Sequence, residues 1–361
     1  MARPNQARLS LCALRNNLAL ARSLAPGSKI MAVVKANAYG HGALTIAGAL
    51  EPLVDAMAVA CIEEAVALRN GGIRAPILLL QGAFEASELD TAVQHDLWLT
   101  VANEQQLAWL EQARLPAPLQ CWLKLDTGMH RLGIDAGDVS SFYARLRASG
   151  NVEEPIVVCT HFASADELDS KQTAQQLRQF ESLSQDLDAP RSAANSAGVL
   201  AWPAAHYQWI RPGYMLYGNS PFRQAHANTR DLQPVMTLVS AVTALRHVST
   251  GEAVGYGANW VAQRPSRIAT VTIGYGDGYP RLAANGTPVL VNGQRATLAG
   301  RVSMDMITVD VTDLEHVSVG DEVILWGPGL PVDEVARHCD TIGYELTTRM
   351  PARTPRTVTE S

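Results

Sequence analysis

The sequence predicts an α/β fold: a (β/α)8 TIM-type barrel followed by a mostly β C-terminal domain. Between about residues 29 and 217, eight short apolar runs alternate with helix-forming segments, and such alternation implies parallel strands closing into a barrel. No G-x-G-x-x-G follows the first run, which disfavours the competing open, doubly wound sheet. Beyond about Phe222 the helical segments give way to strands and turn residues, the texture of a separate β domain. At 361 residues the chain exceeds the size at which one core usually keeps growing. A division into 1–225 and 226–361 is therefore expected.

In chain order, 7–11 reads as a strand and 14–24 as an amphipathic helix. That strand is surplus to the barrel count and is expected to pack with the C-terminal domain. The barrel strands are expected at 30–34, 56–60, 77–80, 97–101, 119–125, 156–160, 191–194 and 207–210. Of the intervening helices, the one over 63–70 meets a glycine stop at Gly71, and the one over 103–113 has Asn103 as its cap. The C-terminal strands are expected at 235–245, 268–273, 288–292, 296–298, 306–311 and 322–325, with Asn292-Gly293 as a hairpin turn. A short helix over 332–338 follows, and the polar tail from Ala352 onward is expected to fray.

Hydrophobic residues make up 47% and charged residues 18% of the chain, the composition of a soluble globular protein with apolar surface to spare for a large core. A formal charge of -6 with no basic run gives no electrostatic footprint for nucleic acid or an anionic membrane, so small-molecule partners are expected. Cys12, Cys61, Cys121, Cys159 and Cys339 are odd in number and lack C-x-x-C spacing. They indicate neither a disulfide framework nor a zinc site and read as reduced core thiols; no metal is expected. The first ten residues carry Arg3 and Arg8 without a following apolar stretch, and no later run has the length of a membrane span. A cytoplasmic protein is expected.

Catalytic residues of a barrel sit just past the C-terminal ends of its strands, which turns the strand assignments into candidates. The first strand runs into Lys35-Ala36-Asn37-Ala38-Tyr39-Gly40-His41-Gly42, and the fifth carries Lys124 and leads into Asp126-Thr127-Gly128-Met129-His130-Arg131-Leu132-Gly133. The sixth ends at Thr160-His161-Phe162, the seventh leads to Asn195-Ser196-Ala197-Gly198 and the eighth to Arg211-Pro212-Gly213-Tyr214. Taken singly, each has a plain structural reading: a lysine stem can line the core while its amine reaches water, and Asn-Ser-Ala-Gly is an ordinary helix start. Their shared position is what such readings explain poorly. A lysine at the exit of a buried strand becomes a nucleophile when its pKa is lowered. The loops after strands seven and eight are the usual phosphate cradle of this fold, and here they offer the Ser196 hydroxyl and the amides near Gly213 and Tyr214. A phosphate there and a lysine across the mouth suggest a phosphorylated aldehyde held as an imine, which is pyridoxal 5'-phosphate.

The stretches Val33-Val34-Lys35-Ala36-Asn37-Ala38-Tyr39-Gly40-His41-Gly42, Leu125-Asp126-Thr127-Gly128-Met129-His130-Arg131-Leu132-Gly133, Thr160-His161-Phe162-Ala163, Arg211-Pro212-Gly213, Val254-Gly255-Tyr256-Gly257 and Arg301-Val302-Ser303-Met304-Asp305 resemble the motifs of alanine racemases, in their order and across essentially the whole chain. The resemblance implies a barrel binding pyridoxal 5'-phosphate, a C-terminal β domain and a head-to-tail homodimer with shared active sites that interconverts L-alanine and D-alanine. It makes Lys35 the imine lysine and, once substrate displaces it, the base on one face of the cofactor. Tyr256, reaching in from the partner subunit, is the base on the other. Lowering a tyrosine pKa from about 10 to about 7 takes roughly 4 kcal/mol, and His161 and Arg211 are the cations expected to supply it. Arg211 would also face the pyridine nitrogen and, keeping its own proton, leave the ring neutral. By the same resemblance Tyr39, Ser196, Gly213, Tyr214 and Tyr344 hold the phosphate. Arg131 would meet the cofactor's phenolic oxygen and the substrate carboxylate, which the Met304 amide would also approach. Lys124, at a position the family can carry carbamylated, and Asp305 support these groups, while Tyr275 and Arg281 resemble an entryway.

Ser303 and Thr348 stand where some alanine racemases have cysteine, and 350–356 departs from their commonest Arg-Val-Pro-Arg ending. Two other readings stay open on the residues. One is another barrel enzyme with the same cofactor, such as an amino-acid decarboxylase or a broad-specificity racemase, against which Arg211 speaks. The other is a non-catalytic cofactor-binding regulator, against which the long β domain carrying Tyr256 speaks. The reaction would supply D-alanine for peptidoglycan or serve alanine catabolism.

Overall fold

The computed structural model describes residues 3–359. β1 (Gln6–Ser10) leads directly into a helix over Leu11–Leu24, whose first turn is capped by Ser10 Oγ accepting from the Ala13 amide at 3.2 Å. The cap starts this helix, so it begins ahead of its apolar stripe, which Leu14, Leu18 and Ala21 bury.

Eight strands then close a barrel: β2 (Lys29–Val33), β3 (Ala56–Val59), β4 (Ile77–Leu79), β5 (Leu97–Val101), β6 (Leu119–Lys124), β7 (Val152–Cys159), β8 (Arg191–Ser192) and β9 (Trp209–Ile210). β9 pairs back onto β2 in parallel through Lys29 and Trp209. All eight coincide with the expected runs, and most of their residues are apolar and buried because a parallel barrel strand is covered on both faces. β7 starts earlier than the expected 156. Glu153 and Glu154 are solvent-facing, yet Glu153 and Val152 pair with Gln120 and Leu119 of β6, and a hydrophobic pattern cannot show a polar strand start. Gly71 ends the helix Ile62–Asn70, and Asn103 Oδ1 caps Glu104–Gln112 by accepting from the Gln106 amide at 2.9 Å.

The rest of the chain supplies β10 (Met236–Val248), a small antiparallel pair β11 (Ala253–Val254) and β12 (Trp260–Val261), then β13 (Ser266–Val271), β14 (Pro288–Val291), β15 (Gln294–Leu298), β16 (Ile307–Asp310), β17 (Glu322–Trp326) and β18 (Arg356–Thr359). Apart from the β11–β12 pair, these join β1 in one sheet ordered β13-β16-β15-β14-β17-β10-β1-β18, with β13 also paired to β10. β1 lies between β10, antiparallel, and β18, parallel. Ala7 and Leu9 thus belong to the core of the C-terminal sheet, separate from the barrel core. Asn292 and Gly293 join β14 to β15 with positive φ at both (49° and 77°), the requirement of a type I′ turn.

The tail does not fray as expected. β18 extends the sheet, Thr354 is fully buried, and Arg356 donates to the carbonyls of Gly40, Met350, Pro351 and Thr354. A polar composition fits an edge strand whose backbone is paired as well as it fits a loose end. The thiols are not all in the core either: Cys121, Cys159 and Cys339 are buried, Cys61 is half-buried and Cys12 exposed, and all five are unpaired. A helix over Gly343–Thr348, which the sequence reading did not foresee, carries Tyr344. Among the described residues no helix is long and apolar enough to cross a membrane, and no cluster of His, Cys, Asp and Glu could hold a metal ion.

Candidate active site

Lys35 leaves β2 into a turn of unusual hand. Ala36, Asn37 and Ala38 take φ/ψ of 52°/52°, 54°/46° and 53°/53°, and Tyr39 has φ 51°. A left-handed conformation costs an L-residue roughly 1–2 kcal/mol, so four in succession persist only because the surroundings hold them. Glu64 accepts from the Ala36 amide (2.6 Å) through one carboxylate oxygen and from the Ala60 amide (2.8 Å) through the other. Asn37 Oδ1 accepts from the Ala43 amide at 2.8 Å. Arg356 donates to the Gly40 carbonyl at 3.0 and 2.9 Å. Gly40 itself must be glycine, since a Cβ there would fall 1.8 Å from the Thr347 carbonyl oxygen. Buried His41 places Nδ1 3.1 and 2.9 Å from the Ala38 and Tyr39 carbonyls. Carbonyls only accept, so Nδ1 carries the proton. Burial, then Arg131, lowers the Lys35 pKa, against an opposing pull from Glu64.

Across the mouth, Ser196 Oγ accepts from the amides of Gly213 (3.0 Å) and Met215 (3.2 Å). With both lone pairs used, its own proton is left to donate outward, and the Tyr214 amide lies between the two that are taken. A Cβ on Gly213 would approach Tyr39 Oη to 2.6 Å, so glycine is what lets that phenol enter. Tyr344 stacks on Tyr214 with ring centroids 3.5 Å apart and lies 6.1 Å from Tyr39, which packs on Tyr217 at 4.9 Å. Burial raises the pKa of Tyr39 and Tyr344, keeping both phenols as neutral donors. The phenol of Tyr214 is engaged elsewhere, donating to Asp333 Oδ1 at 2.7 Å. Its contribution to an anion therefore reduces to its backbone amide.

The remaining barrel candidates concentrate positive charge. Burial foremost lowers the Lys124 pKa to about 8, with Arg211, Arg131 and Lys35 adding to the effect. Arg211 is buried and donates to Thr160 O (2.5 Å), Ala193 O (3.3 Å) and Ser192 Oγ, with no carboxylate in that set. Asp126 shapes the loop to Arg131 by accepting from the amides of Gly128, Met129 and His130 at 2.9–3.1 Å; Arg131 is exposed. His161 sits among these groups, and burial followed by Arg211, Lys124, Arg131 and Lys35 holds its pKa well below the usual histidine value. It is therefore a neutral ring rather than the cation expected of it, which leaves that part to Arg211.

The C-terminal candidates form a second group. Tyr256, Met304 and Tyr275 are 72%, 53% and 40% exposed, and Arg281 is exposed nearby in sequence. Asp305 pairs with Arg353. None of the charges acting on Lys35, Lys124 or His161 comes from this domain. Tyr344 is the exception that crosses to the barrel mouth. The sequence reading missed Glu64, Tyr217, Asp333 and Arg356 as supports. Glu64 stands in a helix start where an acidic residue is unremarkable, and the others act through partners far away in the chain.

Comparison with known proteins gives a consistent result. The family description "Alanine racemase, N-terminal domain" matches residues 9–221, and "Alanine racemase, C-terminal domain" matches 235–358. Alanine racemase of Chromohalobacter salexigens is 52% identical over 356 residues, covering 99% of this chain and 98% of that protein. The catabolic alanine racemase of Pseudomonas putida is 54% identical over 344 residues, covering 95% and 96%. Among solved structures, the biosynthetic alanine racemase from Pseudomonas aeruginosa superposes with a TM-score of 0.96 at 52% identity, covering 99% of this chain and 100% of that one.

Proposed function

Since the chain belongs to the alanine racemase family and is an amino-acid isomerase, we propose that it interconverts L-alanine and D-alanine with Lys35 and Tyr256 as opposed bases, on pyridoxal 5'-phosphate, in a cytoplasmic homodimer. The chemistry that this cofactor supplies when bound is an electron sink for the charge left at Cα as its proton departs. The residues suit such a group. Ser196, Tyr39, Tyr344 and the amide of Tyr214 are donors converging where Gly213 leaves room, and Lys124, Arg131 and Arg211 add positive charge around a dianionic phosphate and a carboxylate substrate.

Racemisation removes a proton from Cα on one face and returns one on the other. A lowered pKa gives Lys35 a larger neutral fraction, the form whose Nζ can accept the Cα proton. On the opposite face Oη of Tyr256 from the partner subunit would do the same as its phenolate, with neutral His161 linking that phenol to the Arg211 cation, whose fixed charge would favour the phenolate. Arg211, which does not give up its proton, would hold the ring nitrogen unprotonated and so disfavour side reactions such as transamination. Arg131 and the Met304 amide would fix the substrate carboxylate, with Lys124 and Asp305 behind them and Tyr275 and Arg281 at the entry. The unpaired thiols suit a reducing cytoplasm. Relatives named both biosynthetic and catabolic leave supply of D-alanine to peptidoglycan and alanine breakdown as the two uses.

The observation that carries this reading is a lysine of lowered pKa facing neutral phenols and a serine across one mouth, while a tyrosine stands 72% exposed on a separate hairpin. Its test is racemisation of L- and D-alanine by the wild type, Lys35→Ala and Tyr256→Phe. Lys35→Ala should abolish turnover and the lysine-linked cofactor absorbance. Tyr256→Phe should keep that absorbance and lose about 10²–10⁴-fold in kcat, the usual worth of one acid–base group. Full activity in Tyr256→Phe would sink the two-base scheme.

A further inference from the structure

Tyr256 rides on a support too slight to hold it. β11 and β12 contribute two residues each and, beyond the bonds of Ala262 to Gly251 and Glu252 at their base, pair only with one another, and a two-stranded hairpin is marginal in water. The turn between them has positive φ at Gly255 (76°), Gly257 (73°) and Ala258 (51°), the last a strained setting for an alanine. Its own internal backbone bond, from the Ala258 amide to the Gly255 carbonyl, is long at 3.4 Å.

What holds the turn comes from two other segments. Asn285 Nδ2 donates to the Asn259 carbonyl at 2.9 Å while its Oδ1 accepts from the Gly300 amide at 2.7 Å. With its amide oriented to satisfy both of its atoms, Asn259 donates to the Gly257 carbonyl (2.9 Å) and accepts from Arg301 Nη2 (3.0 Å) and Nε (2.5 Å). Gly300, at φ 103°, lets the strands approach so closely that a Cβ would lie 2.9 Å from the Val254 carbonyl oxygen. Asn285 is itself pinned, because the Gly286 and Thr287 amides bond the carbonyls of Leu298 and Ala284 at 3.0 and 3.1 Å. The segment it grips continues through Arg301 to Met304, whose carbonyl accepts from the Gly276 amide at 2.8 Å.

We propose that Asn285, together with Asn259 and Arg301, is a positioning device that locks the Tyr256 turn to the segment presenting Met304, so that the two groups offered to the partner's cavity move as one piece. This rests on the reading of Tyr256 as a proton carrier. Asn285 acts through Tyr256 and touches no reacting atom.

The test is a double-mutant cycle on the loaded dimer with Asn285→Ala, Asn259→Ala, Tyr256→Phe and the combination of Asn285→Ala with Tyr256→Phe. Asn285→Ala and Asn259→Ala should each lower kcat about tenfold to a hundredfold, a misplacement of about 1 Å costing up to about 10²-fold, with KM for alanine and cofactor content nearly unchanged. Asn285→Ala should cost nothing further once Tyr256 is phenylalanine. The α-deuterium isotope effects of L- and D-alanine, measured separately, should become unequal, because only one enantiomer gives its Cα proton to the phenol. Hydrogen exchange of the amides at 255–259 should quicken in Asn285→Ala. Unchanged exchange, or a loss that adds in full to that of Tyr256→Phe, overturns the proposal. If Tyr256→Phe alone keeps full activity, the reading of Tyr256 fails instead, and the exchange result still decides whether the tie exists.

Discussion

His41 shows how much of this active centre is held from behind. Its ring is buried, packs at a tilt on Tyr217 with centroids 4.5 Å apart, and donates to the carbonyls of Ala38 and Tyr39 through Nδ1. Burial, opposed by those two bonds and helped by Arg356, lowers its pKa from 6.5 to about 4. The sign of the linkage follows. Between pH 6.5 and 4 the unfolded chain binds a proton that the folded one refuses, so the contribution is complete above about 6.5 and is lost as pH falls toward 4. The whole effect is about 3 kcal/mol. Unfolding free energy measured from pH 7 down to 4.5 should therefore fall more steeply in the wild type than in His41→Gln, and parallel curves would show that the ring titrates normally. Residues of this kind differ in how legible they are. Lys35 was visible because a charge closing an apolar run is conspicuous, and Ser196 and Gly213 because the fold says where a phosphate goes. Glu64, Asp333 and Asn285 were not, since each acts on a backbone or phenol group brought up by a distant segment. His161 is neutral rather than the expected cation because its burial first, and then four neighbouring cations, disfavour its charged form, and no local pattern reveals either.

At the scale of elements, the left-handed turn after β2 is the feature least predictable from propensity. Nothing in Ala36-Asn37-Ala38-Tyr39 advertises positive φ apart from the asparagine, and the turn exists because Glu64, Arg356 and His41 take up its backbone groups. Ala36 is exposed, and glycine there would keep the amide bond to Glu64 while removing the steric cost. Set against the greater freedom of glycine in the unfolded chain, Ala36→Gly should raise stability by about 0.5–1 kcal/mol, read as a higher urea midpoint. A lower midpoint would mean that the turn is not strained in solution. The barrel strands, by contrast, were legible to within a residue or two wherever they are apolar, and β7 slipped only at its polar start. β18 escaped because an edge strand held by backbone pairing needs no apolar pattern at all.

For the whole molecule, the candidates fall on two surfaces of one chain: Lys35 with its phenols and cations in the barrel mouth, and Tyr256, Tyr275 and Met304 exposed on the β domain. A closed twofold dimer would bring the second surface of each subunit to the first surface of the other. Two inactive variants, Lys35→Ala and Tyr256→Phe, should then complement when mixed after dissociation. A mixed dimer has one site with both substitutions and one with neither, so random reassociation should restore roughly a quarter of wild-type activity. No recovery, with exchange of subunits verified by mass, would place both bases in the same subunit.

The seating of β1 between β10 and β18 has a consequence for how the protein is made. β1 is synthesised before the barrel strands, whereas its partners Met236–Val239 and Arg356–Thr359 are synthesised after them. The parallel barrel can close while β1, which is not one of its strands, still waits unpaired. Completion of the sheet then draws together segments from either side of the barrel, so that the sheet can be sealed only after every barrel strand has been made.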